Sequence, residues 1–247
     1  MSAALAIDVT LTPREMRASG GVHTELAPGR RQEGERGTSL LDEKEAVVIN
    51  AESLVFEEAT AKGIYKGQAH LLQSSGTTIR ADEITMDEKQ GILTAVGNMR
   101  SVLRISGPQE RDSKAMSIAK AADMTFDDAK RQIVLTKNAE LDGVQGNLKA
   151  ARIEMYLAAK ANTMDRLEAQ DSVTVVLDKR TATGQRMTYH PTDEMYVLTG
   201  TPVRLVQECQ ESTGRTLTFY KASEKVSVDG AEEIRTQTKG GKCPDTR

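Results

Sequence analysis

The stretch Ala81-Asp82-Glu83-Ile84-Thr85-Met86-Asp87, a polar turn, and then Ile92-Leu93-Thr94-Ala95-Val96-Gly97-Asn98 decides how this chain is read. Ile84 and Met86 are two positions apart, so on a β-strand both point to one face and Thr85 to the other. After the turn at Asp87 to Gly91, Leu93, Ala95, Gly97, Met99 and Leu103 share one side, while Thr94, Asn98 and Arg100 share the other. Alternation of this kind on both arms of a polar turn predicts an antiparallel hairpin with one buried face.

The same phrase recurs outward in both directions. It reads Leu54-Val55-Phe56, Met124-Thr125-Phe126, Ile153-Glu154-Met155, Met187-Thr188-Tyr189 and Leu217-Thr218-Phe219, with a weaker copy at Val9-Thr10-Leu11. Successive copies begin 45, 30, 40, 29, 34 and 30 residues apart. A period of roughly 20–50 residues is the mark of a repeat architecture. Polar segments at Ala27 to Glu45, Gly107 to Lys114 and Gln207 to Arg215 account for the longer intervals as insertions, the first reading as an exposed loop or linker. The Ala-rich run Lys149 to Asn162 contains a phrase, which predicts strand rather than helix. Gly67, Gly97, Gly200 and Gly230 fall at equivalent places in the second strand, where a glycine marks a bulge or bend. In-register bends predict a sheet that wraps around a common axis.

The expected fold is therefore all-β: an open jelly roll of antiparallel strands, built from about seven repeats of roughly 30 residues. A right-handed parallel β-helix is the competing architecture. The organisation read from the sequence is N-terminal repeat strands at 1–26, a polar linker at 27–45, the main roll at 46–230 and a charged, partly disordered tail at 231–247. The strands near Val9 and Phe219 are the expected edges.

Composition narrows the function. Aromatics are 3% of 247 residues, with no Trp and ten Met. Such an interior is thin and aliphatic, and Met adapts to irregular or flexible apolar partners. A formal charge of -3 with scattered basic residues leaves only Arg30-Arg31 and Lys239 to Lys242 as clusters, too small for a nucleic-acid footprint. No run approaches the roughly 18 apolar residues of a membrane span. No signal peptide is visible in MSAALAIDVTLTPRE. Because Val9-Thr10-Leu11 already belongs to a repeat, the expectation is that a longer precursor begins upstream.

Little in the chain has the spacing of catalysis. His23, His70 and His190 are isolated, and the acidic pairs Asp87-Glu88 and Asp127-Asp128 fall in turns, where solvated acids are ordinary. Cys209 and Cys243 match no metal or redox motif; a disulfide between them and two free thiols both fit the sequence. No metal and no cofactor is expected. The one constellation is the inward face itself: Leu54, Phe56, Ile84, Met86, Leu93, Met99, Met124, Phe126, Ile133, Leu135, Met155, Met187, Tyr189, Leu198, Leu205 and Phe219. These residues are either plain core or the lining of a groove for acyl chains, each buried methylene contributing roughly 0.8 kcal/mol.

The unit resembles the OstA-like repeat of the LptA/OstA family of lipopolysaccharide-transport proteins. The resemblance rests on Ala81 to Asp87 and Ile92 to Asn98, with the same frame in Ala51 to Leu71, in Arg186 to Val203 and around Ala18 to Val22; it spans about Ile7 to Gly230. It implies an open jelly roll that shields the acyl chains of lipopolysaccharide or lipid A, has no enzymatic activity and works in the periplasm. It also implies partners: LptC-like and LptD-like OstA domains joined through terminal edge strands, or further copies in a head-to-tail homo-oligomer. The chain departs from a short single-domain member in carrying more repeats and no visible anchor. That leaves an LptA-like protein, a fusion or part of a larger translocon protein all open. The rival functions are a self-assembling structural β-solenoid without lipid cargo and a β-helix carbohydrate-active enzyme.

Overall fold

The computed structural model describes residues 2–28, 39–42, 44–107, 116–143, 145–159, 162–177, 179–207, 210–223, 225–230 and 237–238. Among them there are strands and no helix. In chain order these are β1 (Ser2–Ala3), β2 (Ala6–Leu11), β3 (Arg14–Leu26), β4 (Val47–Glu57), β5 (Lys62–Leu72), β6 (Thr78–Asp87), β7 (Ile92–Arg104) and β8 (Met116–Asp127). The second half contains β9 (Gln132–Gly143), β10 (Gly146–Leu157), β11 (Met164–Leu177), β12 (Arg180–His190), β13 (Met195–Gln207), β14 (Gln210–Tyr220), β15 (Lys225–Asp229) and β16 (Gln237–Thr238). From β3 to β15 each strand pairs with the next in sequence, forming one unclosed meander. Pairing between these strands is antiparallel throughout, which rules out the parallel β-helix. The all-β open roll expected from the sequence is the fold.

Each phrase lies in an even-numbered strand, followed by a short turn and an odd-numbered partner. The turns at 58–61, 88–91, 128–131 and 191–194 end on left-handed residues, Ala61, Gly91, Arg131 and Glu194. Neighbouring turns then stack: Glu88 N–H donates to Ala61 O at 3.1 Å, Asp128 N–H to Gly91 O at 3.0 Å and Lys221 N–H to Glu194 O at 3.0 Å. Asp and Glu suit these turns because their side chains accept from nearby amides, as Asp87 does from Gln90 N–H at 2.9 Å.

What makes a meander into a roll is a register shift near the middle of each long ladder. Between β5 and β6, Lys66 pairs with Glu83 and Ala69 with Ala81, so Gly67 and Gln68 stand opposite Asp82 alone. Two residues facing one is a bulge, and bulges bend strands. The odd strands supply the left-handed pairs: Gly20-Gly21, Gly67-Gln68, Gly97-Asn98, Lys137-Asn138 and Asp171-Ser172. At Gly97 the requirement is steric as well as conformational, since a Cβ there would fall 2.3 Å from Asp82 Oδ2. Of the four glycines singled out, Gly67, Gly97 and Gly230 have positive φ. Gly200 lies in the β13 shift between Thr199 and Val203.

The bulge also resets the alternation, so one face stays inside on both halves. Buried residues step from Ala81 to Ile84, from Ala121 to Met124 and from Ala150 to Ile153 on even strands, and from Ala95 to Met99 or Leu135 to Ala139 on odd ones. Alanine recurs at the crease, where the two halves of each strand converge and large side chains would collide. Strands bring Cα atoms within 8 Å only of their ladder neighbours. The two layers therefore meet through side chains, at the roughly 10 Å expected of packed sheets.

Three local expectations need correction. Gln210 to Arg215 is not an insertion but the start of β14, paired with β13 down to Gln207↔Gln210. Phe219 is not on an edge strand, because β15 pairs with β14 and covers it. Residues 39–42 of the polar insertion are not an exposed linker: Leu40 and Leu41 are 4% and 5% exposed and join the core. Val9 does lie on an edge, since β2 pairs with β3 alone. Of the excursion read at Gly107 to Lys114 all but Gly107 lies outside the described residues, as does most of the tail; within the tail, Gln237 and Thr238 pair with β14.

Candidate functional site

The inward face is a single apolar cluster running from Ala18 to Phe219. Of the sixteen residues picked from the sequence, Ile84, Leu93, Phe126, Ile133, Leu135 and Met155 have no exposed surface, and Leu54, Met99, Met124, Met187, Leu198, Tyr189, Phe219, Met86 and Leu205 are buried. Phe56 is partly buried against them. The structure thus brings all sixteen to one side of the sheet. It also fills the space between the layers with them. Near the C-terminal end an apolar crevice bordered by Leu177, Tyr196, Leu198 and Phe219 amounts to about 10 Å³, at most one water's worth of room. At that crevice an acyl chain has no room unless the layers move apart.

Because the long strands from β3 to β14 are folded at the crease, the turns at their two ends form two rims that face each other. The rims are tied at several points. Tyr196 Oη donates to Gln145 O at 2.8 Å, Ser106 N–H to Asn162 O at 2.8 Å and Met164 N–H to Ser106 O at 2.8 Å. Tyr65 is buried on the inner face beside Thr24, and burial pushes its phenol up to about 12 despite a hydrogen bond to Thr24. Arg180 lies over the Phe219 ring, 4.9 Å from its centre. The sequence reading missed Tyr65, Tyr196, Leu40 and Leu41; the last two form an adjacent apolar pair inside a polar insertion, the one local sign they gave.

The outer face is mixed: threonines and charged residues share it with exposed Val96, Ile118 and Val176. Thr85, Thr94 and Thr125 stand directly opposite one another across three strands. Glu154, in the position other copies give to Thr, is partly desolvated, which works to raise its carboxyl. Hydrogen bonds from Arg152 Nε (2.6 Å), Tyr156 Oη (2.7 Å) and Gln132 Nε2 (2.6 Å) nonetheless hold it below the usual carboxylate range. At two phrases the acid that precedes them reaches a left-handed residue of the bulge. Asp82 Oδ2 accepts from Asn98 Nδ2 at 2.9 Å. Asp123 accepts from Lys137 Nζ at 2.9 Å.

The acidic pairs weighed for hydrolysis have structural duties. Asp127 is held below its usual range first by the hydrogen bond from Lys130, and Asp128 Oδ1 accepts from Ser39 N–H at 3.0 Å. His70 is pushed down by burial and by neighbouring Arg80, and His23 Nδ1 is 2.8 Å from Asn50 Oδ1. Among the described residues no group of three or more His, Cys, Asp or Glu is placed to hold a metal. Cys209 and Cys243 lie outside the described residues.

These features define a class: an unclosed antiparallel roll with an apolar interior whose terminal strands have no outer neighbour among the described residues. A family model described as LptA/(LptD N-terminal domain) LPS transport protein matches residues 48–157 and, overlapping, 144–225. The chain belongs to this family of lipopolysaccharide-transport proteins. No curated protein shows significant similarity to it. Among solved structures it is similar to LptH, described as the LptA homologous periplasmic component of the lipopolysaccharide transport device from Pseudomonas aeruginosa. That match has 13% identity and a TM-score of 0.43, over 53% of this chain and 94% of that one.

Proposed function

We propose that this protein is a non-enzymatic bridge component of the periplasm, which shields lipopolysaccharide acyl chains along its interior and passes them toward the outer membrane. The observation that carries the reading is the continuous apolar inner face from β3 to β15, mostly aliphatic, with an aromatic group of Tyr189, Tyr196 and Phe219 near its C-terminal end. Acyl chains need no directional contacts, only apolar area, and a Trp-free lining of Leu, Ile, Val and Met offers that along the whole roll. Family membership supports the cargo.

The terminal strands supply the second half of the proposal. β2 and β15 each have one side without a partner from the meander, and unpaired strand edges accept strands from other chains. OstA domains of LptC-like and LptD-like partners, or another copy head to tail, would add there and extend the inner face.

Site-specific photocrosslinkers test the cargo. Placed at Met124, Leu135, Met155 or Met187 they should capture lipopolysaccharide in cells, whereas those at Thr94 or Thr188 should not. Equal labelling of both faces would sink the proposal. If the purified protein assembled into filaments yet took up no lipid, the structural-solenoid rival would be favoured.

A further inference from the structure

One closure of the rims is not made by the sheet. The end of the β3–β4 insertion lies across the seam and ties to both sides. On one rim Ser39 bonds Asp128 and Arg131, and Asn162 Nδ2 donates to Leu40 O at 3.1 Å. On the other, Asp42 and Gln73 exchange two hydrogen bonds of 2.9 Å, and Ser75 N–H donates to Glu45 Oε2 at 2.7 Å. Between these ties Leu40 and Leu41 point inward and complete the core.

Directly beside this clasp is a cavity of about 490 Å³, within the size range of ligand sites. Leu40 and Leu41 border it, and Lys44, Arg104 and Arg131 line it with Asp42, the one acid among its described lining residues; the Glu45 carboxylate lies near enough to feel the Arg104 charge. Arg131 is engaged with Asp128 at 3.7 Å. Arg104 is exposed and gives one N–H to Ser75 O at 2.7 Å. A cationic cavity that opens onto two buried leucines has the polarity of an amphipathic anion.

We propose that this cavity is a lateral entry port for a phosphorylated, acylated glycolipid, with its phosphate against Arg104 and Lys44 and an acyl chain entering where Leu40 and Leu41 now sit. The proposal rests on the lipid-carrier reading and adds a place and a gate to it. The exchange is physically modest. Elsewhere the rims are joined by the hydrogen bonds of Tyr196 to Gln145 and of Ser106 with Asn162 and Met164. The clasp can leave without breaking a ladder, and the incoming methylenes replace the leucine side chains in kind. Phosphate gains charge-assisted hydrogen bonds from Arg104.

The test is stopped-flow uptake of fluorescent lipid A from detergent micelles by the full chain. Leu40→Ser/Leu41→Ser should take up lipid at least tenfold faster than the unaltered protein. Arg104→Ser should weaken binding several-fold for bis-phosphorylated lipid A and leave binding of dephosphorylated lipid A unchanged. An unaltered rate in the double variant, with a native far-UV spectrum, overturns the port. So does an equal loss for both lipids in Arg104→Ser, which decides the matter alone should the double variant unfold. If interior crosslinkers capture lipid but the port variants change nothing, only the port falls. If neither the interior nor any variant takes up lipid, the carrier reading falls with it.

Discussion

β2 and β8 have the same inward pattern in opposite settings. On β8, Met124 and Phe126 are 1% and 0% exposed; on β2, Val9 and Leu11 are 64% and 76% exposed. Register puts Val9 opposite Met16 and Ile7 opposite Ala18, so β2 continues the inner face rather than turning away from it. The difference is one of neighbours. β8 has a strand on each side and a facing layer, while β2 has β3 alone. The repeat specifies which side of a strand is apolar, and its place in the array decides whether that side is covered. An edge with an uncovered inner face is incomplete by construction.

The largest effect that separates these settings is core truncation. Phe126→Ala should cost about 3–5 kcal/mol in urea unfolding, the usual range for a buried Phe, while Leu11→Ala should stay within about 0.5 kcal/mol. Similar losses at both positions would mean that β2 is covered in solution. Next is the crease. Gly97→Val forces a β-branched side chain into φ +81°, costing about 1–3 kcal/mol before the collision with Asp82 is added. Gly21→Ala, at φ +88° with no atom within 4 Å of a Cβ, should cost only the conformational part, about 1–2 kcal/mol. Denaturation midpoints for the pair would show how much of the crease is steric.

A smaller change is expected at the edge. Val9→Lys should reduce self-association in sedimentation velocity, because a charge on an edge strand opposes strand addition, and should leave the unfolding midpoint in place. The smallest is the pH dependence of the bulge. The hydrogen bond from Lys137 holds the Asp123 carboxyl below its usual range, helped by the Gly97 amide. A depressed folded pKa contributes stability that is present above the unfolded value of about 3.9 and lost as pH falls through the lower folded value. Asp123→Asn should therefore flatten the acid limb of the stability curve below about pH 4 and change little at pH 7.

Much of the fold was legible because strand periodicity is a local signal. Spacing of two in Ile84-Thr85-Met86 fixed the face, and glycine at 67 and 97 marked the bend. At Asp82 and Asp123 the bulge partner was present in the sequence as the acid before the phrase, but its role needs a contact between strands, Asp82 to Asn98, that one strand's pattern does not display. At Lys137-Asn138 and Asp171-Ser172 the bend is made without glycine, so composition alone passes over it. The sixteen inward residues were readable for the same local reason as the fold. Whether they enclose space was not, because that depends on how far apart two layers stand. The clasp was hidden by its setting: a pair of leucines in a polar insertion carries no period, and only the folded chain brings it to the seam.

The proposed carrier role requires the filled interior to part for acyl chains. Pulsed electron resonance between spin labels on the outer faces of the two layers, at Val134 and Ile118, measures that parting. On loading with lipid A the distance should lengthen by the width of an acyl chain and return when lipid is removed. A distance unchanged at saturating lipid would show that the interior is a core and nothing more.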